Sequence, residues 1–199
     1  MRTRRALTTV LILAATVVLV VTMTRSTEQG STPPPPQASA GRTSAPPGIG
    51  TPAPEVSGQA VRGGEQRLST LLGKVVVLGF VSPGVRRGGP ATQQSRRQMV
   101  VLRSMSTQYR SRGATTMLID ADGTGDDLRD ELVNFTYDND VPFPLLGGED
   151  AIKAIADFGV RAVPSVILVG RDGRIAHRWD RFVPPAEFAA ALEQLCGPA

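Results

Sequence analysis

The chain has 199 residues with 22 basic and 18 acidic side chains, one histidine and one cysteine, for a formal charge of +4. Five of the basic residues and one of the acidic residues lie in residues 1–54, which leaves seventeen of each sign in the rest. A globular portion of zero net charge, in a chain with 5% aromatics, argues against nucleic acid as a partner, and the single Cys196 excludes a disulfide within the chain.

Ala6 to Thr24 is a run of 19 uncharged, mostly apolar residues between Arg5 and Arg25. As a helix it would extend about 28 Å, enough for a bilayer core. Arg2, Arg4 and Arg5 precede it and only Arg25 follows closely, which predicts a cytoplasmic N-terminus and an extracytoplasmic remainder. The run is long for a cleaved signal peptide, and no A-x-A-like site or lipid-accepting cysteine follows it, so residues 1–25 are read as a single-pass signal anchor. Residues 26–54 are rich in Ser, Thr, Gly and Ala with eight prolines, a composition that predicts a disordered tether.

Residues 55–199 are read as one domain. The pattern predicts a strand or hairpin over Glu55–Arg67, a fully apolar strand over Val75–Val81, and a helix over Ala91–Ser111. A strand over Thr115–Asp120 and helices over Asp126–Tyr137 and Glu149–Phe158 follow. Strands Ser165–Gly170 and Arg174–Trp179 are joined at Asp172-Gly173, and a last helix covers Pro184–Cys196. Alternating strands and helices ending in a hairpin imply an α/β fold, a central mixed sheet with helices on both faces.

The segments "GTPAPEV", "LSTLLGKVVVLGF" and above all "GVRAVPSVILVGRDGRI" (Gly159 to Ile175) resemble the thioredoxin-like redoxins. The likeness spans about Thr51 to Leu195. It is strongest to the membrane-anchored TlpA/ResA type of thiol-disulfide oxidoreductase, with the peroxiredoxin-related branch as neighbour. It implies a thioredoxin-like fold, a Cys-x-x-Cys motif at a helix start, a cis-proline at Pro164 facing it, and a backbone shelf at Val163 that pairs with an extended substrate segment. Counting back from "SRRQMVVLRSMSTQYRSRG" puts Thr92 and Ser95 at the two sulfur positions. Counting forward from Phe80 puts Val85 and Gly88 there, with "SPGVRRGGP" as an insertion. Neither register holds a cysteine. The buried Asp that thioredoxins place before the strand Phe is here Gly79.

Disulfide exchange needs a thiolate and a resolving sulfur, and peroxide reduction also begins with a thiolate, so hydroxyls at 92 and 95 supply neither. Serine-type catalysis needs a neighbouring base, and no motif offers one; Thr92 and Ser95 in a first helical turn read as caps. The lone His177 has no Cys or second His for a metal or a nucleophile–base pair, and alternates with Ile175 and Trp179 along a strand. Asp120 to Gly125 with Glu131 imitates a calcium loop, but a strand enters it and Asp127 falls where an apolar residue is needed; a loop capped at Thr124 or Asp126 is the reading. Cys196 follows Phe188, Leu192 and Leu195 at helical spacing as a small apolar residue. Arg86, Arg87, Arg96 and Arg97, in a stretch without acids, form a candidate anion-attracting rim.

The sequence therefore predicts a membrane-tethered, extracytoplasmic thioredoxin-fold protein without redox activity. It binds a protein or peptide partner through Thr92, Ser95, Val163 and Pro164 and needs no cofactor or metal. An oxidoreductase working through Cys196 or a partner's thiol, and a structural domain in a membrane assembly, are the alternatives.

Overall fold

The computed structural model describes residues 45–86 and 88–197. The predicted anchor helix and residues 26–44 of the tether lie outside the described residues, within which no helix is long and apolar enough to cross a membrane.

The elements in chain order are a hairpin of β1 (Ser57–Gln59) and β2 (Glu65–Arg67), β3 (Val75–Val81), α1 (Pro90–Tyr109), β4 (Ala114–Asp120), α2 (Leu128–Asp138), β5 (Leu145–Leu146), α3 (Gly148–Asp157), β6 (Ser165–Val169), β7 (Ile175–Trp179) and α4 (Pro185–Cys196). The main sheet has the order β5-β4-β3-β6-β7. β3 is its centre, parallel to β4 and antiparallel to β6, and all seven of its residues are buried. That explains its unbroken apolar run, since both faces are covered.

One face of the sheet packs Val75, Val77, Val81 and Leu118 against Leu102 and Met105 of α1 and Phe188 and Leu192 of α4. The other packs Leu78, Phe80, Met117 and Ile119 against Ala151 and Ala154 of α3 and the adjoining Phe158. The Phe80 and Phe158 rings lie 5.6 Å apart.

Predicted and observed elements agree to within two residues at most ends, and four differences have physical causes. β5 was not anticipated, because two residues show no periodicity; it exists through its parallel pairing with Leu118 and Ile119. α2 starts after Asp127 with no side-chain cap, neither Thr124 nor Asp126 serving; a main-chain turn from Leu128 N–H to Gly125 O (3.1 Å) closes its start. Ile175 does not share a face with His177 and Trp179, because a bulge between Leu168 and Val169 shifts the β6–β7 register and turns Ile175 to the α3 side. Finally, Gly50 to Ala53 is part of the fold rather than tether: Gly50 N–H donates to Ile175 O at 2.7 Å, Ile175 N–H to Thr51 O at 2.9 Å and Ala53 N–H to Gly173 O at 2.9 Å. These bonds cover part of the β7 edge.

Candidate functional site at the carboxyl end of the central strand

Sheet register assembles the site. Val81, the last residue of β3, pairs with Asp120 of β4, while Phe80 pairs with Ser165 of β6, which sets Pro164 beside Val81 on the other side. Three adjacent chains thus end together, and the loop from Ser82 to Gly89 carries the chain from there into α1. Gly89 has φ 132°, a conformation that side chains rarely adopt, and Pro90 occupies the first turn, where its missing N–H costs nothing. The Val163-Pro164 peptide is cis.

Thr92 and Ser95 both point inward from α1 rather than capping it; the helix has no side-chain cap at its start. Ser95 Oγ, fully buried, accepts the main-chain N–H of Ser82 at 3.0 Å. Ser82 Oγ lies 3.3 Å from Thr92 Oγ1 and donates to Asp122 Oδ1. The other oxygen of Asp122 accepts the N–H groups of Gly84 (2.7 Å) and Val85 (3.0 Å). Asp122 N–H in turn donates to Asp120 Oδ1 at 3.0 Å. Asp120 Oδ2 is buried without a hydrogen-bond partner among the described residues. Burial pushes the Asp120 carboxyl up to about 7; the Asp122 charge adds to this, and the N–H groups of Asp122 and Ala121 oppose it.

Thr92 and Ser95 are therefore brought together, with Ser82, Asp120 and Asp122 as members that the sequence reading missed. The missed acids sit in the stretch that imitates a calcium loop; Asp122 is saturated by three donors of the chain and Glu131 pairs with Arg86 at 2.8 Å. The signal for them was the Asp at the end of the strand parallel to β3, which register alone brings opposite Val81. Val85 and Gly88, the alternative sulfur positions, lie in the loop ahead of the helix. As for the arginine rim, Arg86 is committed to Glu131, Arg96 Nε donates to Pro83 O at 3.1 Å, Arg97 is exposed, and Arg87 lies outside the described residues.

Gly79 faces α1, and a Cβ there would stand 2.7 Å from Leu102 Cδ1 and 2.9 Å from Leu118 Cδ2. Two leucines fill the space that an acid would need; the carboxyl on this face belongs to Asp120, one strand over. His177 stacks on Trp179 with ring centroids 5.2 Å apart, and Trp179 Nε1–H donates to Glu187 at 2.7 Å. Cys196 is half-buried against the core, and burial pushes its thiol up, with Arg171 and Arg112 pulling part of the way back. Arg171 follows β6, whose Val169 pairs with Val76 near the start of β3, so Cys196, which feels the Arg171 charge, belongs to the end of the sheet opposite Ser82.

The shelf beside the cluster is well braced. Arg178 donates to Phe158 O (2.6 Å) and Gly159 O (3.1 Å), and also pairs with Asp180, while the Ser165 hydroxyl lies 2.6 Å from Ala162 O and 3.0 Å from Asp180 Oδ1. Between these anchors the main-chain N–H and C=O of half-buried Val163 have no hydrogen-bond partner among the described residues.

This architecture recurs in solved structures. The chain is similar to a thiol:disulfide interchange protein of the thioredoxin family from Chlorobium tepidum, at 20% identity and TM-score 0.59, covering 74% of this chain and 97% of that one. It is similar to the thioredoxin domain of a thiol-disulfide oxidoreductase from Bacteroides vulgatus, at 16% identity and TM-score 0.61, covering 74% and 98%. A thiol:disulfide interchange protein from a Bacteroides species matches at 16% identity and TM-score 0.61, over 77% and 93%. At such identities the likeness establishes the thioredoxin-like fold. No curated protein sequence matches the chain. The pattern of the AhpC/TSA family matches residues 49–178, from the paired segment at the β7 edge to the end of the hairpin, and the chain belongs to that family.

Proposed function

We propose that this protein is a membrane-tethered, extracytoplasmic redoxin-fold module that binds an extended segment of a protein partner and does not turn over thiols. The observation that carries the reading is the unpaired main chain of Val163 beside a cluster of oxygens at the place where the family resemblance puts sulfurs. An extended segment entering there gains main-chain hydrogen bonds by strand pairing, the recognition mode of an open sheet edge. Against turnover stand the position of Cys196, toward the opposite end of β3, and its thiol, which burial pushes up and so away from the thiolate. Anchoring is supported by the uncharged run Ala6–Thr24 and its flanking arginines.

A photo-crosslinker placed at Val163 in whole cells tests the binding reading. It should capture an envelope protein that a crosslinker at exposed Tyr137, on α2, does not. Identical captures from both positions would remove the groove as the binding surface. The same protein should not accelerate insulin reduction by dithiothreitol or consume peroxide. Turnover that disappears in Cys196→Ser would establish the oxidoreductase reading instead. The full chain should resist carbonate extraction from membranes, and recovery of a shorter soluble form would replace the anchor with a cleaved signal.

A further inference from the structure

Asp120 is a carboxyl that the fold buries and leaves half-satisfied. Its residue is 1% exposed, Oδ1 accepts from Asp122 N–H, and Oδ2 has no partner among the described residues. The charged group acting on it is Asp122, another acid. Around it β3 contributes Val81, and α1 contributes the Thr92 and Ser95 hydroxyls together with Arg96, whose Nε is turned to Pro83 O. On α2, Leu128 is buried in the core, Arg129 is spent on Ala60 O and Val61 O, and Glu131 is paired with Arg86. Among the described residues no cation compensates a negative charge at Asp120.

We propose that Asp120 is a proton-controlled latch for the segment Ser82–Arg86. With its proton on, Asp120 is neutral and Asp122 remains the single anion of the cluster, holding Ser82 Oγ, Gly84 N–H and Val85 N–H at once. With the proton lost, two carboxylates two residues apart share a water-poor pocket. Their repulsion is relieved by moving Asp122, the member nearer solvent through the loop it holds. Asp122 cannot move without releasing all three donors, so the loop opens as a unit. An ordinary carboxylate would lose its proton far below neutrality; burial of Asp120, with the Asp122 charge adding to it, moves the event toward pH 7. The segment adjoins Thr92 through the Ser82 hydroxyl, and Val81 just before it sits beside Pro164, so the latch would regulate access to the partner site at Val163. In that respect it rests on the binding reading above. The loop movement itself does not, and the experiment reads the loop with no partner present.

The test uses the full chain in lipid nanodiscs, with amide hydrogen exchange at Gly84 and Val85 expressed as protection factors so that intrinsic pH dependence cancels. Protection should fall about ten-fold or more between about pH 5.5 and about pH 8.5 in the wild type, and stay flat in Asp120→Asn, a neutral isostere of the protonated form. Flat protection in the wild type, or an undiminished fall in Asp120→Asn, overturns the latch. Should Asp120→Asn fail to fold, the wild-type carboxyl-carbon titration by NMR decides. An Asp120 midpoint near neutrality, tracked by the Gly84 and Val85 amides, supports the proposal, and a midpoint in the ordinary carboxylate range ends it.

Discussion

The main-chain N–H of Ser82 and the hydroxyl of Ser95 meet at 3.0 Å, tying the end of the central strand to the second turn of α1 through a fully buried oxygen. Ser82 then passes its own hydroxyl to Asp122, so the two serines and one carboxylate fix how the loop leaves the sheet. The position that the family resemblance gives to a sulfur thus holds a structural oxygen with a defined partner.

The 92/95 register makes a direct prediction. Residues three apart in a helix have Cα atoms about 5 to 6 Å apart, within disulfide range. Thr92→Cys combined with Ser95→Cys should form a reversible intramolecular disulfide, with the thiol at 92 acidified by the helix N-terminus. Val85→Cys combined with Gly88→Cys should leave both thiols ordinary. Alkylation rate against pH, read by mass, separates the pairs, and an acidic, redox-active pair at 85 and 88 would reverse the assignment.

Asp122→Ala should be among the costlier single changes in the domain. It strands the Ser82 hydroxyl and the Gly84 and Val85 amides together, at about 1 kcal/mol or more each, so urea denaturation should show a loss of about 3 kcal/mol. Ser82→Ala, which removes one of the three, should cost about 1 kcal/mol. Equal losses in the two variants would mean that Asp122 does not organise the loop.

Asp120 gives the global stability a sign as well. Its folded pKa, about 7, lies above the ordinary 3.8 of the unfolded chain. The contribution is therefore fully present below about pH 4 and is lost as pH rises to about 7; at about 1.4 kcal/mol per unit the loss reaches about 4 kcal/mol. Chemical denaturation at steps across that interval should show wild-type stability declining relative to Asp120→Asn. A constant difference between the two proteins would contradict the burial argument.

Gly79→Ala should destabilise by about 1 to 3 kcal/mol, because the new methyl would overlap Leu102 Cδ1 and Leu118 Cδ2. Gly79→Asp, which restores the acid of the thioredoxin pattern, should cost more, since a carboxylate there would face two leucines and no donor. Thermal denaturation of both variants checks the order, and a stable Gly79→Asp would show that α1 can back away from the sheet.

Fold class and nearly every element were legible in the residues alone. The unbroken apolar run of Val75–Val81 requires a strand covered on both faces, Asp172-Gly173 can serve as a tight turn, with Gly173 at φ 77°, and Pro184-Pro185 suits a helix start. The sequence also showed that one cysteine cannot make a dithiol, and it marked Thr92, Ser95 and Pro164. Those readings rest on local rules, where spacing and residue type act within a few positions of one another. The membership of the site did not follow from such rules. Asp122 meets Ser82 across forty residues because β3 and β4 run parallel in one register, and only that pairing reveals two acids beside the hydroxyls instead of a calcium-like loop. The pairing of Gly50–Ala53 with the β7 edge, the bulge that turns Ile175 away from His177, and the commitment of Arg86 to Glu131 were likewise decided in three dimensions. Each is a contact between chain segments far apart in sequence, whose free energy exists only once the sheet has brought them together.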